Sequence, residues 1–300
     1  GGRLIHHFFI FRTDMKYLFT VLITATGFLC HSCRPGQEQT DPLTFFPEAI
    51  ALQGIPVGEF TEWDILSPFG LVKRQNRWIT GYRNSKTNLS LVDPVSGQRK
   101  DMVPRGTEPG EAVYLSSLGP HNDRTIQALN FNEGRLLLCD PEKALQDSAY
   151  RPEERILPTG VLHLTAASTD SFLIATGHYK EGRYLYYSFS DSSYHYQLSY
   201  PDFPAQPDLQ SETRQTLYAS SVVSIRPDGN AFACTDMRCG ILDLCRIDSG
   251  RIERIKEIAY YYPKVRIDEK GKTPAVITGP TSKGCTNALT CWCSIGKAIR

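Results

Sequence analysis

The chain has 300 residues, 41% of them hydrophobic and 11% aromatic, enough to bury a substantial core in one large domain or two small ones, which argues against disorder over most of its length. Its 33 basic and 32 acidic side chains leave a net charge of +1, so no global field draws it to nucleic acid or anionic lipid. With 23 glycines, 19 prolines and few segments of helical spacing beyond the amino-terminal region, the balance favours an all-β protein.

From Met15 the chain reads Met-Lys-Tyr, then an apolar run from Leu18 to Leu29, then Cys30-His-Ser-Cys33. A basic start, an apolar stretch and a small-residue cleavage region make up a bacterial export signal, predicted here over residues 15–32. The apolar run of about 12 residues is short of the roughly 20 that a spanning helix needs, so a removed signal fits better than a permanent span. Ser32-Cys33 resembles a lipobox, in which a small residue precedes the cysteine that takes lipid and becomes the new amino terminus. Cys33 is therefore the expected lipid-attachment site. Cys30 is the alternative, although Cys30 also stands where that pattern has an aliphatic residue. A secreted protein cut nearby and a buried helix are the competing readings. Residues 1–14 precede a complete signal and are expected to be an upstream extension. Residues 33–44 are polar, contain Pro and Gly and lack an apolar period, as in a tether. The folded domain is expected over 45–300.

Within that domain, an apolar strand running into an Asp-led turn recurs. The copies are Leu89-Ser-Leu-Val-Asp93, Leu136-Leu-Leu-Cys-Asp140, Tyr186-Tyr-Ser-Phe-Ser-Asp191 and Ile241-Leu-Asp-Leu-Cys-Arg-Ile-Asp248. The turn aspartates lie about 50 residues apart, near the 40–50 of propeller blades. An Asp opening such a turn accepts hydrogen bonds from amides two residues on, and a later Gly supplies positive φ. Further strands are predicted at Trp78–Tyr82, Thr125–Leu129, Phe172–Thr176 and Val222–Ile225. Sheets built from such repeats bury both faces only by stacking on one another, so a six-bladed β-propeller is expected; a β-sandwich is the rival architecture. Counting forward from Asp248, a sixth blade runs out near the chain end. The last blade is therefore expected to be incomplete or truncated, and the final 16 or so residues, with Cys285, Cys291 and Cys293, are atypical.

The leader, these repeats and Arg105-Gly-Thr-Glu-Pro-Gly-Glu111, which is similar to a Gly-x-Gly-Pro-x-Glu loop, together make the chain resemble the TolB-like six-bladed propeller lipoproteins of bacteria over roughly Phe45 to Gly284. In that loop Thr107-Glu108 departs from the glycine of the pattern. The resemblance implies the fold and an address in the cell envelope, lipid-anchored on the periplasmic side or the cell surface. It implies no reaction.

The remaining chemistry is sparse. No Lys-Ser or Lys-Thr follows the 106–111 loop, so it is not a phosphate cradle. A hairpin turning at Cys239-Gly240 would set Cys234 opposite Cys245, close enough for a disulfide, with buried free thiols the alternative. His121, His163, His178 and His195 lie in no hydrolase motif and are expected at loops or rims. Glu111, Asp170 and Asp236 are the acids that a calcium site at a channel mouth would bring together. Tyr184, Tyr186, Tyr187, Tyr194, Tyr196, Tyr200 and Tyr260–Tyr262 are expected to pack in the core or rim rather than form a ligand platform. No catalytic, cofactor or metal residue is assigned. The expected function is a non-enzymatic binding or scaffolding propeller for a protein, peptide or glycan; the alternative is a calcium-assisted hydrolase or lyase acting in the channel.

Overall fold

The computed structural model describes residues 68–260 apart from 75, 84, 85 and 205, together with residues 53, 262, 264–267 and 274–278. The leader, the tether with Cys30 and Cys33, and the cysteines beyond 280 lie outside the described residues.

Four consecutive four-stranded antiparallel sheets make up most of what is described. Blade 1 holds β1 (Pro68–Arg74), β2 (Arg77–Tyr82), β3 (Thr87–Val92) and β4 (Arg99–Pro104). Blade 2 holds β5 (Leu115–Pro120), β6 (Ile126–Asn130), β7 (Arg135–Cys139) and β8 (Glu153–Ile156). Blade 3 holds β9 (Leu162–Ser168), β10 (Phe172–His178), β11 (Tyr184–Ser188) and β12 (Tyr194–Gln197). Blade 4 holds β13 (Ser221–Ile225), β14 (Ala231–Asp236), β15 (Ile241–Asp248) and β16 (Arg251–Ala259). A two-stranded sheet, β17 (Lys264–Ile267) with β18 (Pro274–Thr278), follows.

Each sheet is a simple meander in which sequence neighbours pair. The first strands of successive sheets pack side by side, β1 by β5, β5 by β9 and β9 by β13. Meanders ranged around an axis with their first strands innermost are the blades of a β-propeller.

The strands read as nearly continuous apolar runs because both faces are covered. In β7, Leu137 and Cys139 pack with Ile79, Leu89 and Leu91 of blade 1, whereas Leu136 and Leu138 pack with Leu173, Ala175 and Leu185 of blade 3. In β10 the same alternation sends Phe172 and Ile174 toward Val223, Phe232 and Cys245 of blade 4. Each fully buried aliphatic side chain contributes about 1.5–3 kcal/mol, so every blade interface carries its own apolar stabilisation.

Asp93, Asp140 and Asp191 fall between the third and fourth strands of their blades, and Asp248 is the last residue of the third strand of blade 4. Asp93 accepts the amides of Val95 and Ser96, and Asp191 accepts that of Ser193, as Asx turns do. At Asp248 the turn is instead made by Ser249 and Gly250, both at positive φ. Asp140 opens no turn. Its carboxylate accepts the amides of Glu142 and Lys143 and caps a short helix, α1 (Pro141–Gln146), with proline in the first turn. A second helix, α2 (Ser211–Ala219), lies in the connection between blades 3 and 4 and packs on β10, burying Leu217, Tyr218 and Thr213. Neither helix is expected from the spacing of apolar residues in the sequence.

Candidate functional site

Strand direction alternates within each meander, so the turns joining first to second and third to fourth strands all lie at one end of the blades. At that end, between blades 2 and 3, is a cleft of about 350 Å³. His121 and Asn122 come from the β5–β6 turn, Asp170 from the β9–β10 turn, Tyr150, Glu153 and Arg155 from the segment around the start of β8, and Phe189 from the end of β11.

The inner wall is a hydrogen-bond chain with one permitted polarity. Gln127 Nε2 donates to the Ala166 carbonyl at 2.6 Å, which fixes its amide orientation, because a carbonyl can only accept. The other amide atom, Oε1, then accepts from the Ser168 hydroxyl. With its single proton committed to Gln127, Ser168 Oγ can meet His121 Nδ1, 2.6 Å away, only as an acceptor. His121 is therefore protonated at Nδ1, and in the neutral ring Nε2 carries a lone pair. Burial holds the imidazole below its ordinary titration range; Asp170 and Glu153 draw it up and Arg155 pushes it down. Its Nε2 lies 3.4 Å from Asp170 Oδ1, a spacing that becomes an ion pair only on protonation. Burial keeps the ring neutral near pH 7, so the contact there is between two acceptors.

Serine, histidine and aspartate in a row resemble a hydrolase triad, but the polarity is reversed. In a triad the serine proton goes to the imidazole and the imidazole proton to the aspartate. Here Ser168, 5% exposed, sends its proton away from the cleft. The outer wall is held by paired charges. Arg124 reaches Asp140 at 3.0 Å, the Asp140 amide donates to the Tyr150 hydroxyl at 2.7 Å, and Arg155 pairs with Glu153 while its guanidinium carbon sits 5.6 Å from the Phe189 ring centroid. Asn122 Nδ2 donates to Asp170 at 2.6 Å, tying the blade 2 turn to the blade 3 turn.

The chain matches no family pattern and no curated protein. Solved structures similar to it include a Bacteroides fragilis protein named as exported (14% identity, covering 63% of this chain and 50% of that one, TM-score 0.44), the WD40 repeats of RRP9 (12%, 63% and 51%, 0.43) and streptogramin B lyase (11%, 68% and 60%, 0.43). This chain thus spans half to three fifths of their lengths. Likeness at such identities concerns the fold alone.

The register of blade 4 sets Cys234 opposite Asp243 and Cys245 opposite Phe232, so the two cysteines are diagonal neighbours rather than opposite each other, and both are free buried thiols. Burial raises both, Cys245 to about 12. Glu111, Asp170 and Asp236 do not converge: Glu111 accepts the Glu108 amide in its own loop, Asp170 holds Asn122, and Asp236 accepts the amides of Arg238 and Cys239 at the end of β14, away from the cleft. Among the described residues no group of three metal-ligating side chains is found. The 106–111 loop closes on itself through Gly106 N to Ala112 O and Glu111 N to Glu108 O.

His163 is not a rim residue. It is fully buried, with Nδ1 2.7 Å from the Tyr179 hydroxyl and Nε2 2.9 Å from the Pro158 carbonyl. The tyrosines divide between core and rim: Tyr184 is buried between blades 3 and 4, whereas Tyr194 is exposed. No helix among the described residues is long and apolar enough to cross a membrane. The residues that sequence reasoning missed are His121 and Asp170 as partners. Their signal was available, since the Asn122–Asp170 contact joins residues 48 apart, one blade repeat.

Proposed function

We propose that this chain is a binding propeller of the TolB-like lipoprotein kind, held in the bacterial envelope by lipid on Cys33, with Cys30 the alternative attachment site. Its ligand, part of a protein, peptide or glycan, sits in the cleft between blades 2 and 3. The observation that carries this reading is the fixed polarity of the Gln127–Ser168–His121 chain. It offers the His121 Nε2 acceptor to the cleft while turning the one serine hydroxyl of the row away, an arrangement suited to holding a ligand rather than attacking it.

The test has two arms. Expression from Met15 in a lipoprotein-processing bacterium, followed by intact mass, should give a diacylated or triacylated chain beginning at Cys33 in the membrane fraction; an unprocessed or unlipidated product refutes the tether. Metal analysis with activity screening of the purified protein should show no saturable turnover. Stoichiometric calcium with metal-dependent saturation kinetics would replace binding by the hydrolase or lyase reading.

A further inference from the structure

Six charged side chains line the cleft: Lys143, Arg151 and Arg155 against Asp140, Glu153 and Asp170. The signs nearly cancel, with Arg124 on Asp140 adding one positive charge at the outer wall, so an ionic ligand gains little net field there: an added cation meets the basic groups, an added anion the three carboxylates. Recognition falls to hydrogen bonds. On the inner wall, His121 Nε2 and Asp170 Oδ1, 3.4 Å apart, both present lone pairs while the imidazole is neutral. Lys143 and Arg155 carry only donors. A ligand that satisfies acceptors on one wall and donors on the other needs groups that both give and take a hydrogen bond at close spacing. Adjacent hydroxyls do this.

We propose, resting on the binding reading above, that this cleft is a saccharide site in which neighbouring sugar hydroxyls donate to His121 Nε2 and Asp170 and accept from Lys143 and Arg155. The cleft's volume lies within the range of small-molecule pockets. His121 then sets the pH response. The groups facing it are Ser168 from β9, Asp170 from the β9–β10 turn, Glu153 and Arg155 from β8 and the Phe189 ring. When Nε2 takes a proton it stops accepting and pairs with Asp170 Oδ1, so the His121 acceptor is lost and Asp170 is left to accept through its other oxygen. Affinity is accordingly flat around neutrality and falls as the solution is acidified through the histidine range.

The experiment is a titration of histidine-¹⁵N-labelled protein with maltose, cellobiose, lactose and chitobiose, followed at the His121 Nε2 resonance. At least one disaccharide should move that resonance saturably. Asp170→Asn, at a side chain that is 74% exposed and so safe for folding, should weaken that sugar about tenfold or more through loss of a charged acceptor. His121→Asn, whose amide can still donate to Ser168 but offers no acceptor at the Nε2 position, should weaken it as well and abolish the acid-side fall in affinity, both read by titration calorimetry because the probe resonance is gone. Failure of all four sugars to move the resonance overturns the proposal, as does full affinity in Asp170→Asn. If dipeptides move the same resonance instead, the saccharide assignment falls and the binding reading stands. If a sugar binds and is converted to products, the saccharide assignment stands and the binding-only reading falls.

Discussion

Arg183 and Asp243 form an ion pair with both side chains at zero exposure, across the interface of blades 3 and 4. Arg183 Nη1 meets Asp243 Oδ2 at 2.8 Å, the Tyr184 hydroxyl donates to the same oxygen at 2.6 Å, and Arg254 Nε stands 3.3 Å from Asp243 Oδ1. The guanidinium is also stacked between Tyr184 and Tyr218, 5.3 and 5.2 Å from their ring centroids. Removing one member of such a pair costs about 3–5 kcal/mol, because the other charge stays buried without compensation. Asp243→Leu strips the carboxylate from Arg183 and is the costlier change; Arg183→Met leaves Asp243 with Tyr184 and Arg254 and costs less. At a urea slope of about 3 kcal/mol per M, Asp243→Leu should lower the unfolding midpoint by roughly 1–2 M. The double variant should recover much of that loss, since no charge is then stranded. A cost below about 1 kcal/mol for Asp243→Leu, or losses that simply add in the double variant, would refute this account of the interface.

Three further outcomes follow from local geometry. Gly177 sits at a bulge in blade 3 where an added Cβ would stand 2.0 Å from the Leu162 carbonyl oxygen, a backbone atom that cannot rotate away; Gly177→Ala should cost about 2 kcal/mol or more, seen as a drop in thermal midpoint. Burial raises the Asp236 carboxyl above its ordinary 3.8, against the pull of Arg183 and two amides. Because the folded value is the higher one, its contribution to stability is full below the unfolded value and lost as pH rises through the folded one. Asp236→Asn should therefore show a flatter stability profile on the alkaline side of 3.8, measured by urea midpoints across a pH series. Cys139, Cys234, Cys239 and Cys245 are all buried with thiols raised by desolvation, so native protein should leave them unreacted toward a thiol reagent that labels them once urea is added. An oxidised Cys234–Cys245 bridge in the purified protein would show in the same assay as two missing thiols.

The blades were legible in sequence because two signals coincide in each: an apolar run covered on both faces, such as Leu136–Cys139, and a polar turn at a fixed place in the repeat. The helices were not. At Asp140 a capping carboxylate followed by Pro141 looks the same as an Asx turn until the next residues settle into a helix, and α2 is only a weakly apolar stretch that tertiary packing on β10 makes helical. The blade 4 register could not be read from a turn position alone, since a hairpin centred one residue away exchanges opposite partners for diagonal ones. The cleft was hidden for a different reason. His121 and Asp170 look like unrelated loop residues until the repeat is laid around an axis, and the polarity of the wall depends on Gln127 and Ser168, neither of which carries a chemical signature of its own.

Each of the four described blades completes its strand pairing within a stretch of consecutive residues, and the apolar clusters between them each join adjoining blades. A chain delivered progressively, from its amino end, can therefore assemble each meander as it arrives, with loops short enough that closure costs little. What such a meander lacks on arrival is its neighbour: the leucines of β7 on the blade 3 side stay wet until residues near 173–185 appear. Assembly would then proceed as a growing stack with one sticky face at its leading end, and the moment of greatest exposure to self-association moves along the chain with synthesis instead of coming once at the end.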